Sequence, residues 1–129
     1  MTDLLPSAAA LTVAAFKADP EIAAITEGRV GTRLNKTLPA IRVQRVYGTS
    51  PDTWQDQPVM QIECWAADEG TADRLARTVV AVLPSMRDSY STGRVWAHTV
   101  ESGPFFAPDD PALSNNVRYI LTVRWLTST

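Results

Sequence analysis

The 129-residue sequence contains one cysteine, one histidine and two lysines. Cys64 alone cannot form an internal disulfide, so nothing in the composition points to an oxidising compartment. Cys64 and His98 also fall short of a four-ligand zinc site unless carboxylates or a second chain complete it. The apolar run Ala8–Phe16 is far shorter than the ~20 residues that span a bilayer. It follows Asp3 and lacks the basic start of an export signal, so a soluble intracellular protein without a membrane partner is the expectation. Motifs of known chemistry are missing as well. There is no G-x-S-x-G elbow. Asn35-Lys36-Thr37 resembles the end of a phosphate loop, but Val30 and Asn35 stand where that loop needs glycine. The same triplet is a glycosylation sequon, which has no meaning without export. Asp109-Asp110 and the nearby Ser114, Asn115 and Asn116 lack the alternating spacing of a calcium loop.

What is present suits one domain covering residues 1–129. A chain of this size buries roughly two-thirds of its unfolded surface, which is enough for a self-supporting core. The hydrophobic fraction of 45% overstates that core, because seventeen of those residues are alanine. Charged residues make up 20%, with a net charge of −2, which argues against disorder. A pI of about 5.3 gives no whole-molecule attraction to nucleic acid.

Periodicity outlines the elements. Pro6 and Ser7 suit the start of a helix to Ala18, with Leu4, Ala8, Leu11 and Ala15 at helical spacing. Asp19-Pro20 ends it, and Glu21–Thr26 can add one turn before Gly28. Arg29–Arg33 is a short strand candidate and Ala40–Tyr47 a clearer one, whose alternation slips at Arg45-Val46 as at a bulge. Gly48–Pro58 reads as a loop. Val59–Ala66 is a strand with Met60, Ile62 and Cys64 on one face and Gln61, Glu63 and Trp65 on the other. Asp68 can cap a second helix, with Ala72, Leu75, Ala76, Val79 and Leu83 as its apolar stripe and Asp73–Arg77 as an i,i+4 pair. Arg94–Ser102 and Val117–Leu126 complete the strands, separated by the proline-rich segment Gly103–Asn116. The implied fold is α+β: a mostly antiparallel sheet of about five strands with two main helices on one face. The connection from Val59–Ala66 through the helix to Arg94–Ser102 allows one parallel pair.

The reactive residues sit in unpromising places. His98 lies mid-strand, and Cys64 shares an apolar face with Met60 and Ile62, where a thiol is a small hydrophobe rather than a nucleophile. No enzyme activity, metal or cofactor is therefore expected. The aromatics are more informative. Trp54 stands in a polar loop, Phe105-Phe106 between two prolines, and Trp65 on a polar strand face. With Tyr47, Asp109 and Asp110 they form the candidate surface for contact with another subunit or protein, since buried interface centres are rich in aromatics.

The succession of segments resembles the small tail terminator, or tail completion, proteins of long-tailed bacteriophages. The resemblance runs from the helix at Leu11 through Ala18-Asp19-Pro20 and Gly28-Arg29-Val30 to Leu38–Val43. It continues in Gln61–Ala66, the helix Asp73–Leu83, Gly103–Phe106 with Pro108-Asp109, and the last strand Arg118–Trp125. The resemblance implies a structural virion protein with no catalytic residues, present in the host cytoplasm during assembly. It would form a ring, expected to be a hexamer, on the head-proximal end of the tail tube. There it would stop polymerisation of the major tail tube protein and offer a docking surface to the head/neck connector, with DNA passing through unbound. Alternatives are another head-tail connector component, such as a head-closure or joining protein, and a small ligand-binding domain or enzyme.

Overall fold

The computed structural model describes residues 4–50, 54–108 and 116–129. Helix α1 (Ala8–Ala18) starts where Ser7 Oγ accepts from the Ala10 N–H at 3.2 Å. It ends at Asp19, whose carboxylate then caps α2 (Pro20–Thr26) by accepting from the Ile22 N–H at 2.9 Å. Proline suits this first helical position because it brings no N–H to satisfy. Glu27 in the left-handed region and Gly28 turn the chain out of α2. The expected stripe of α1 is buried at Ala8, Leu11 and Ala15, but Leu4 precedes the helix and is exposed.

Six strands follow: β1 (Val30–Gly31), β2 (Ala40–Thr49), β3 (Gln55–Ala66), β4 (Ser89–Tyr90), β5 (Gly93–Phe106) and β6 (Val117–Ser128). They form one sheet in the order β1-β2-β3-β6-β5-β4, curled into a half-barrel. The α+β class and the largely antiparallel sheet agree with the sequence, but among the described residues there are six strands and three α-helices rather than about five strands and two main helices. The parallel pair also lies elsewhere than expected: β1 runs parallel to β2, while β6 separates β3 from β5.

Helix α3 (Glu69–Val82) is capped by Asp68, which accepts from the Thr71 N–H at 2.8 Å. Its stripe of Ala72, Leu75, Ala76 and Val79 is buried, as is Leu83 in the 3-10 turn that follows, and Arg77 bonds Asp73 at 2.9 Å on the solvent side. Beneath the helices lie Ile41, Val43, Met60, Ile62, Cys64, Leu121, Val123 and Trp125, one face of the central strands. Trp125 also ties the two layers together, because its buried indole N–H donates to Thr12 Oγ1 of α1 at 2.9 Å.

The two segments read as long loops are shorter than expected. Gly48 and Thr49 extend β2, and Gln55–Pro58 extend β3, with Gly48 facing Pro58. Gly48 has φ of 112°, and an added β-carbon would lie 2.3 Å from the Gln57 carbonyl oxygen, so only glycine fits. Phe105 and Phe106 likewise belong to β5, opposite Ile120 and Tyr119. Strand β2 does slip at Val46, as the sequence suggests. Strand β5 shifts register three times, leaving Trp96 and Glu101 as extra residues and another beside Gly103-Pro104. Each bulge adds bend and twist, which accounts for the curl.

Candidate interaction surface

The sheet face away from the helices carries the candidate site. No helix covers it among the described residues, yet part of it is buried. Glu63 is 1% exposed and Trp65 5%. Their cover comes from long side chains of neighbouring strands. Glu63 Oε2 accepts from Gln61 Nε2 at 3.1 Å and from Arg42 Nη1 at 3.4 Å. Its Oε1 accepts from the Trp65 indole N–H at 3.1 Å and faces Arg118 Nη1 at 3.7 Å. The Arg118 guanidinium lies 5.1 Å from the Trp65 ring centre, a cation–π contact that roofs the indole. Trp65 is on the expected face, but it is already enclosed by its own chain.

Two further charged groups lie near this centre, one on each face: Arg45 and Asp56 stand on the helix side, in phase with Met60 and opposite Thr127, and Tyr47, Glu101 and Arg124 on the outer side. Arg45 grips the buried Asp56 with two nitrogens, at 2.6 and 2.9 Å, while Ser50 donates to the same carboxylate at 3.0 Å. Burial pushes the Asp56 carboxyl up, but Arg45 and Ser50 outweigh it and hold the group below its ordinary value. Farther along, Arg124 and Tyr47 both donate to Glu101. Those hydrogen bonds lower the Glu101 pKa, and the same bond to a carboxylate raises that of the Tyr47 hydroxyl. Tyr47 is exposed, as an interface residue would be.

Exposed aromatics mark the two ends of the β5–β6 ladder. At the Ser128 end, Trp54 (62% exposed) and Trp96 line an open cleft of about 570 Å³ with Gln55, Arg87, Ala97 and Leu126. The Trp96 indole is held in place, donating to Ser128 Oγ at 2.8 Å with the Arg94 guanidinium 4.1 Å from its ring centre. At the other end, Phe105 is 47% exposed on this outer face opposite Ile120, while Phe106, 50% exposed with its ring 5.6 Å from Tyr119, stands on the helix side. Asp109 and Asp110 lie outside the described residues.

Sequence reasoning picked out Tyr47, Trp54, Phe105 and Phe106, which are exposed, and missed Trp96. Its signal is weak: a bulge, invisible to simple alternation, turns Trp96 outward beside Ala97. Burial pushes the Cys64 thiol far above its ordinary pKa. His98 is half-buried opposite Trp125. Among the described residues no group of three His, Cys, Asp or Glu could hold a metal, and no helix is long and apolar enough to cross a membrane. No family model matches the chain, and no curated protein matches it.

Proposed function

We propose that this chain is a phage tail terminator, a non-enzymatic subunit that caps the head-proximal end of the tail tube as a ring. The observation that carries the reading is the outer sheet face, whose exposed aromatics stand at both ends of one rigid ladder while its carboxylates, Glu63 and Glu101, are held by arginines of the same face. Such a face suits work by contact, because large, preorganised aromatics supply most of the energy at protein interfaces. The order of segments, which resembles that family, supplies the identity of the partners: further copies of the chain, the tube protein and the neck connector. The outer edge of β5 supports assembly through side chains over open-ended strand addition. Among the described residues β4 pairs only with Gly93 and Arg94, and the rest of that edge is interrupted by bulges and Pro104, devices that discourage uncontrolled edge pairing.

The decisive experiment mixes the purified protein with purified tail tubes or with DNA-filled heads and pellets each. Recovery with tubes supports the terminator. Recovery with heads alone supports a head-closure or joining protein instead. Trp54→Ala and Phe105→Ala are expected to stay folded by circular dichroism yet lose recovery with tubes.

A further inference from the structure

Arg94 is the one half-buried arginine among the described residues that faces no carboxylate. Four others are half-buried, and each has its acid: Arg29 has Glu27, Arg42 and Arg118 share Glu63, and Arg124 has Glu101. Arg94 lies instead 4.1 Å from the Trp96 ring centre and donates from Nη1 to Ser89 Oγ at 3.1 Å. Its Nε is buried without an acceptor. A guanidinium carries five N–H donors, so most of this one's capacity is uncommitted. A partly desolvated charge is costly until an opposite charge offsets it. The position therefore lacks an anion.

Arg94 lines an open cleft of about 570 Å³ with Ser89, Tyr90, Ser91, Thr92 and Trp96. Its frame is fixed. Tyr90 Oη donates to the Met86 carbonyl at 2.9 Å, and a β-carbon added to Gly93 would lie 2.8 Å from Pro6 Cγ. Ser89 Oγ accepts from Arg94, which leaves its own O–H to donate, and Ser91 and Thr92 bring two exposed hydroxyls. Asp88 does not line the cleft, and its Oδ1 accepts from the Ser89 N–H at 2.8 Å. Thr129 lines the cleft but forms no ion pair with Arg94. We infer that this cleft binds the phosphoryl group of a small phosphate monoester, with Arg94 as its anchor. A held guanidinium beside several hydroxyls suits a group with three acceptor oxygens better than a carboxylate with two. Trp96 offers the ester's organic part an aromatic wall. Binding here requires neither a tail nor a second copy.

Titration of the whole protein with phenyl phosphate, inorganic phosphate and benzoate, followed by proton–nitrogen correlation NMR, tests this. Phenyl phosphate should shift the backbone amides of residues 89–94 and the Arg94 Nε–H to saturation. Inorganic phosphate should shift the same signals with weaker affinity, and benzoate should bind about tenfold more weakly than phenyl phosphate or worse. Arg94→Gln should weaken phenyl phosphate by about tenfold or more, the loss of a charge-assisted hydrogen bond. Arg74→Gln removes an exposed arginine of α3 that also has no ion pair among the described residues, and should leave the affinity unchanged. In the unmodified protein alone, the absence of saturable shifts, or shifts centred away from residues 89–94, would overturn the inference whatever the variants do. So would benzoate binding as tightly as phenyl phosphate, inorganic phosphate binding where phenyl phosphate is excluded, or a folded Arg94→Gln that binds as the unmodified protein does.

Discussion

The two faces of the sheet bury side chains by different means. The inner face is closed by α1 and α3 over aliphatic residues such as Ile62, Leu75 and Leu121, with polar ties from Trp125 to Thr12 of α1 and from Tyr119 to Glu69 of α3. The outer face has no such cover among the described residues, and still excludes water from Glu63 and Trp65 by laying arginine side chains across them. Apolar packing over a helix is tolerant of approximate fit. The outer network is not, because a buried carboxylate must keep its donors or lose far more than one hydrogen bond. A surface whose carboxylates are already held by its own arginines and whose ends carry aromatics is well prepared to meet a partner without rearrangement.

Substitutions separate the two modes by size. Leu75→Ala should give the largest loss, about 2–5 kcal/mol in chemical denaturation, because it opens a cavity in the inner core. Glu63→Ala should cost about 2 kcal/mol, below a fully buried pair because Arg42 and Arg118 can turn to solvent. Glu63→Gln should lose less, since it still accepts from the Trp65 N–H. If Glu63→Ala stayed within the scatter of ordinary surface changes, about 0.5 kcal/mol, the outer face would be merely solvated. Thr12→Val should cost about 1–2 kcal/mol by leaving the Trp125 N–H buried and unpaired.

Acid should act through Asp56, which shares the helix-side face of β3 with Met60 and Ile62. Its folded pKa lies below the ordinary 3.8, so its contribution to stability is fully present above that value. It is then lost as pH falls through the lower, folded value. Denaturation midpoints measured between neutral pH and pH 2 should show a decline below about pH 4 that is reduced in Asp56→Asn. Equal declines in both proteins would remove Asp56 from the account. The smallest effect on stability, about 0.5 kcal/mol or less, is expected for Phe105→Ala, whose ring is half exposed.

Much of the inner face was legible in the sequence. Ser7 and Asp68 cap their helices as their residue types suggest, Asp19 ends the first helix as expected, and the stripe through Leu75 and Val79 is the one that packs. Even the slip at Val46 could be read, because alternation fails there locally. The strand ends could not. Gly48, Pro58, Gly103 and Pro104 look like loop residues, and only the register set by distant strands holds them in the sheet. The outer network was hidden for the same reason. Glu63 joins Arg42 and Arg118 across three strands, and Arg124 meets Glu101 only after a bulge resets the pairing.

Electron microscopy of growing tubes tests most directly whether the protein ends a tail tube as proposed. Tube protein polymerised with this chain should give tubes that carry a ring at one end and cease to lengthen there. Tubes that grow to the same lengths with and without it, and bear no terminal ring, would contradict the account.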